Sequence, residues 1–135
     1  MKKQLLSYLA CVLLLSGCSI FHKDSTPPDP TRPQVAVVSG RFIVVNQEPL
    51  VFLRDQKNVT ITWQLPKESQ YRFQPRSGID IEEKGRGEIT DCAVRSGGLE
   101  FSCVNRHTRP GKYSYTIRLQ DGSRQIFSDP QIYNE

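Results

Sequence analysis

From Val35 onward, apolar and polar positions alternate with a period of two, the spacing of half-buried β-strands rather than of helices. Val59, Ile61, Trp63 and Leu65 interleave with Asn58, Thr60, Thr62 and Gln64, and Tyr113, Tyr115, Ile117 and Leu119 interleave with Ser114, Thr116, Arg118 and Gln120. Shorter alternations occur at Ile79/Ile81 and at Leu99/Phe101/Cys103, and further strands are predicted at Arg41–Asn46, Leu50–Leu53, Tyr71–Gln74 and around Ile132. No stretch carries amphipathic helical spacing.

Turn-forming residues separate these runs: Gln47-Glu48-Pro49, Pro75-Arg76-Ser77-Gly78, Gly85-Arg86-Gly87, Ser96-Gly97-Gly98, Pro110-Gly111 and Asp121-Gly122. Many short strands with one apolar face predict an all-β fold, an antiparallel two-sheet sandwich over residues 35–135. Two segments resemble immunoglobulin-like sandwiches. Val59-Thr60-Ile61-Thr62-Trp63 looks like a core strand carrying a buried tryptophan, and Pro110-Gly111-Lys112-Tyr113-Ser114-Tyr115 looks like the penultimate strand that opens on a tyrosine corner. The usual inter-sheet disulfide of such domains has no counterpart, so the resemblance implies an architecture and carries no functional residues.

Ahead of this domain the pattern changes. Lys2 and Lys3 precede an apolar stretch from Leu5 to Leu15, too short to span a bilayer, which takes roughly 20 apolar residues. The stretch runs into Leu15-Ser16-Gly17-Cys18, which resembles the lipobox of bacterial lipoproteins. That resemblance implies removal of residues 1–17 as a signal peptide, a lipid on the Cys18 sulfur and attachment to a membrane. Two or three acyl chains anchor stably where one does not. Ser19, in place of the aspartate that retains such proteins in the inner membrane of diderm bacteria, points to the outer membrane, with the domain in the periplasm. Residues 18–34, with Pro27, Pro28, Pro30 and Pro33, read as the lipidated cysteine followed by an extended tether reaching at most about 50 Å.

Removing the leader changes the charge balance. The precursor carries a net charge of +4; without Lys2 and Lys3 the remaining 118 residues hold 16 basic and 14 acidic side chains, or +2. A nucleic-acid partner loses its main support. Cys11 leaves with the leader and Cys18 is taken by lipid, so Cys92 and Cys103 remain as a pair in an oxidising compartment and are expected to form a disulfide. They lie equidistant from the turn Ser96–Leu99 and should face each other across a hairpin. A two-residue Gly97-Gly98 loop would make them a hydrogen-bonded pair, whereas a four-residue loop, Ser96 to Leu99, makes them a non-hydrogen-bonded pair whose side chains approach closely, as a disulfide needs; Val94 and Phe101 share their face, which should be buried. A redox-active pair is the alternative, but the Cys-x-x-Cys spacing is missing. Zinc lacks ligands, the only histidines being His22 and His107, and neither metal nor cofactor is expected.

No catalytic set emerges. His107 is the domain's single histidine, no Gly-x-Ser-x-Gly elbow occurs, and Asp80 and Glu82 fall on a solvated strand face. Glu83, Glu88 and Asp91 complete the local acids, and Glu82–Glu88 reads as a mixed-charge, glycine-rich connection. The candidate binding surface is the cationic loop Arg106, His107 and Arg109, suited to carboxylate or phosphate groups against the alternative of an ordinary solvated loop. The expected role is therefore a non-enzymatic binding or accessory lipoprotein facing an envelope protein or polymer. Two other roles fit the same layout. One is an inhibitor of a hydrolase such as lysozyme, inserting Ser39-Gly40-Arg41-Phe42 or Ser96-Gly97-Gly98 into a cleft; the other is a component of an envelope secretion apparatus.

Overall fold

The computed structural model describes residues 28–135; the leader, Cys18 and most of the expected tether lie outside the described residues. The described chain is an all-β sandwich with no α-helix. Its strands are β1 (Val35–Val38), β2 (Phe42–Val45), β3 (Leu50–Phe52), β4 (Val59–Gln64), β5 (Arg72–Phe73), β6 (Ile79–Ile81), β7 (Ile89–Arg95), β8 (Glu100–Asn105), β9 (Gly111–Asp121), β10 (Arg124–Ser128) and β11 (Gln131–Asn134).

One layer is the sheet β4-β8-β7. The other is built on the long β9, which pairs with β10 and β11 and also with the short β5 and β6, while β3 lies beyond β11. The pairing is antiparallel except where β3 runs parallel to β11 and where Gln34 bridges Gln64, so the expectation of a purely antiparallel sandwich is corrected at two places. The hairpin β1–β2 forms a sheet of its own, with β2 running close to β10. Inward side chains of both layers interdigitate. Trp63, Phe101, Ile61 and Cys103 from one layer meet Tyr115, Ile117, Leu119, Phe73, Phe52 and Ile132 from the other, all buried. The Trp63 indole donates to the Tyr115 hydroxyl at 3.1 Å, so the buried indole N–H has a partner within the core.

The expected tyrosine corner is present: Tyr113 is buried and its hydroxyl donates to the Arg109 carbonyl at 3.0 Å. Packed structure begins earlier than the tether's expected end. Asp29 accepts hydrogen bonds from the amide and hydroxyl of Thr31 at 2.9 and 2.7 Å. The backbone oxygens of Thr31 and Pro33 then accept from the amides of Thr62 and Gln64. Residues 29–34 thus run beside β4 as part of the domain.

The disulfide Cys92–Cys103 is formed, with Cα atoms 4.1 Å apart, and residues 96–99 make the four-residue loop. A bulge at Asp91, where φ is 53°, inserts one extra residue into β7. The face it carries is buried on β8 only. Phe101 and Cys103 are fully inside, whereas Val94 is half-buried and Cys92 exposed, because β7 is an edge with no strand beyond it. Glu83–Gly85 form a 3₁₀ turn in place of an open connection. Gly85 is buried, and a Cβ there would sit 2.8 Å from the Ile81 side chain.

Closing a loop of this size is worth about 3 kcal/mol in the chain-entropy account. Reduction of Cys92–Cys103 should therefore lower the unfolding free energy by about that amount, measured by denaturant titration with and without reductant.

Candidate functional site

The loop after β8 contains the three residues singled out for binding, and the structure gives them different roles. Glu88, just before β7, is 2% exposed, and its carboxylate is the centre of the arrangement. It accepts from the Thr108 amide at 2.7 Å, the Thr108 hydroxyl at 2.5 Å, the Arg109 amide at 3.2 Å and the Arg109 Nε at 3.0 Å. Its main-chain oxygen also accepts from the Arg106 amide at 2.7 Å. Burial by itself would push the carboxyl pKa up. The bonds from Thr108 and Arg109 outweigh that and hold it at about 2.

His107 is buried, not presented to solvent, and its backbone takes a φ of 49°. Its ring nitrogens face two main-chain oxygens, Nδ1 that of Gln56 at 3.0 Å and Nε2 that of Glu135 at 2.8 Å. The imidazole thereby links the β3–β4 connection to the end of β11. Beside it, Asn105 and Asn134 exchange amide hydrogen bonds at 2.8 and 3.1 Å between the two layers, and Asn105 Oδ1 also accepts from the His107 amide. This end of the sandwich is closed by polar side chains whose neighbours are other polar groups of the protein.

Arg106 and Arg109 remain at the surface. Arg109 keeps 64% of its side chain exposed while its Nε is held by Glu88, so the rest of its guanidinium is free to bind. Next to them lies a cleft of about 270 Å³ lined by Arg54, Lys57, His107, Thr108, Pro110 and Glu135. Arg54 and Lys57 come from the β3–β4 connection, far away in sequence. Only the fold brings them to the loop, and the sequence reading did not include them.

The remaining acids do not assemble. Asp80 pairs with Arg118 at 2.9 Å, Glu82 accepts from the Ser114 amide, and Asp91 accepts from the Thr90 hydroxyl. Among the described residues no three His, Cys, Asp or Glu side chains converge.

At the other end, a wider depression of about 600 Å³ crosses the outer face of the β4 layer. A ladder of side chains spans it: Gln34 Nε2 donates to Gln64 Oε1, Gln64 Nε2 to Glu100 Oε1, and Ser96 Oγ to Glu100 Oε2 at 2.6 Å. Hydrogen bonds from Ser96 and Gln64, with Arg32 nearby, lower the Glu100 pKa. The ladder depends on cross-strand register, which residue types alone do not reveal.

The lowered Glu88 pKa has a thermodynamic consequence. The unfolded chain binds this proton near the ordinary value of 4.5, whereas the folded chain releases it until about pH 2. The stabilisation is therefore complete above about pH 5 and disappears as the pH falls through 4.5 towards 2. Glu88→Gln should cost about 2–3 kcal/mol at pH 7, the worth of charge-assisted hydrogen bonds, and flatten the dependence of stability on pH in that window. Denaturant titrations of both proteins at several pH values would show it. No protein-family model matches the chain, and no curated protein is significantly similar to it in sequence.

Proposed function

We propose that the chain is a lipid-anchored lipoprotein of the cell envelope, held at the outer membrane through Cys18, and that its sandwich is a non-enzymatic binding module facing the periplasm. The anchor reading draws on Lys2, Lys3, the apolar Leu5–Leu15 and the lipobox-like Leu15–Cys18. The binding reading rests on one observation: Glu88 fixes a loop that exposes Arg106 and Arg109, and His107, Thr108 and Pro110 of that loop line a cleft together with Arg54, Lys57 and Glu135. Arginines on a loop held in place by Glu88, with Arg54 and Lys57 at the adjoining cleft, suit carboxylate or phosphate groups, because the ordering of the loop is met in folding and not on binding. The partner is an envelope protein or polymer bearing such groups.

A second reading, insertion into a hydrolase cleft, draws on the β1–β2 tip. There, Ser39 and Gly40 turn with positive φ and Phe42 is 59% exposed. Micromolar inhibition of a muramidase by the full chain would favour it.

Two measurements test the leading proposal. Cys18→Ala should move the protein from the membrane fraction to the soluble fraction. A photocrosslinker at position 106 in cells should give a discrete adduct that is lost with Lys57→Glu and Arg54→Glu, while a crosslinker at exposed Gln125 gives none. Equal adducts at both positions, or adducts indifferent to the charge reversals, would contradict it.

A further inference from the structure

Every exposed sheet edge offers unpaired main-chain groups, and natural sheets blunt such edges with charge, proline, bulges or brevity. Most edges here are treated in one of these ways. β7 carries the Asp91 bulge, β3 has three residues and follows Pro49, and β5 has two residues and runs into Pro75. The two strands of the separate hairpin are the exceptions, and of these β2 lies against β10 while β1 faces a groove. The sequence of β1 is Val-Ala-Val-Val, with no charge, no proline and no bulge.

The hydrogen-bond parity of β1 follows from its neighbours. The Asn46 amide donates to the Gln34 carbonyl, so residues 36 and 38 direct their main-chain groups toward β2 and residues 35 and 37 direct theirs away from it. The bridge between Gln34 and Gln64 covers the outer edge only as far as Val35. Beyond that point β4 leaves the sheet: Pro66 has no N–H to donate, and a turn from Pro66 to Ser69 carries the chain away. Among the described residues, the amide and carbonyl of Val37 have no main-chain or side-chain partner. They open into a groove of about 380 Å³ between β1 and the Pro66–Tyr71 connection. The Tyr71 hydroxyl closes its far end by donating to the Gly40 carbonyl at 3.1 Å.

From this edge and groove we infer that β1 is a docking site for an extended peptide segment of a partner protein, which adds as a strand along Val35–Val38. It adds a second binding surface to the module proposed above, remote from the Arg106–Arg109 end and independent of the lipid. Three observations specify the occupant. Alternating donor and acceptor on the edge match a peptide backbone. The groove has a wall on each side, β1 and the Pro66–Tyr71 connection, so it admits one strand of about four residues, ~13 Å, and not a second hairpin. Its one charged lining residue is Glu68, which forms no ion pair among the described residues and would face a lysine or arginine of the peptide. The outer face of the same hairpin exposes Val38, Phe42 and Val44 at 49%, 59% and 48%, so apolar side chains of an added strand would extend an existing apolar surface.

The probe is a synthetic pentapeptide, Ac-Thr-Val-Lys-Val-Thr-NH2, titrated into the full chain in detergent micelles while the Val37 amide is followed by NMR. Strand addition is expected to shift the Val37 amide. N-methylation of the peptide at alternate residues should abolish binding in one set and leave it intact in the other, since only one set of peptide amides faces β1. Exchanging the peptide lysine for glutamate should weaken binding about fivefold, the yield of one partly solvated ion pair, and Glu68→Lys should reverse that preference. Failure of either peptide to move the Val37 amide at millimolar concentration would overturn the inference, as would equal tolerance of N-methylation at every position. A peptide-independent dimer that protects the Val37 amide would also overturn it, in favour of a second copy of this chain. None of these outcomes bears on crosslinking from position 106, so the two surfaces stand or fall separately.

Discussion

The Glu88 carboxylate gives up nearly all of its water on folding and regains four hydrogen bonds, all from the consecutive residues Thr108 and Arg109: two main-chain amides, one hydroxyl and one guanidinium N–H. A buried charge survives only under such compensation, and the geometry that supplies it is also the geometry of the loop. With Thr108 and Arg109 held, Arg109 presents its carbonyl to Tyr113, and His107 is carried inward to meet Gln56 and Glu135. Asn105 and Asn134 complete the same closure between the layers. The end of a sandwich, where strands stop and backbone groups lose their partners, is here sealed by side chains in place of solvent.

The two candidate surfaces differ in how the protein treats them. At the sealed end, fixed polar groups hold cations outward, and binding there needs little rearrangement. Along β1, main-chain groups are left open to solvent and apolar side chains line the adjacent face, the two features that an added strand would cover. On the two proposals, a module of about 100 residues would offer one surface for charge and another for backbone.

Much of the fold was legible because period-two alternation survives wherever one face is buried. Trp63 and Tyr115 fell on inward positions, and the tyrosine corner followed from Pro110-Gly111-Lys112-Tyr113. The strand β10 was missed because Phe127 is 72% exposed beside buried Ile126, which hides the alternation. The parallel pairing of β3 and β11 is a long-range choice that no local pattern encodes. At the candidate site, sequence identified the cationic loop but treated its three residues alike. A histidine between two arginines reads as a surface residue until tertiary contacts show carbonyls at both ring nitrogens. Glu88 read as one acid among several, since its neighbours Gly87 and Ile89 say nothing about a loop twenty residues away. Turn signals at Gly85 and Gly87 suggested a loose connection, yet close packing of Gly85 against Ile81 and Tyr113 requires the missing side chain.

The claim on which the site depends is that the Arg106–Arg109 loop has one arrangement, set by Glu88, and is not a mobile surface segment. Amide hydrogen exchange of Thr108 and Arg109 in the full chain near pH 7 tests it most directly. Both amides donate to the buried carboxylate, so both should exchange orders of magnitude more slowly than the amide of Gly97 at the exposed β7–β8 tip, and Glu88→Gln should erase much of that difference. Exchange of Thr108 and Arg109 as fast as that of Gly97 in the unaltered protein would contradict it.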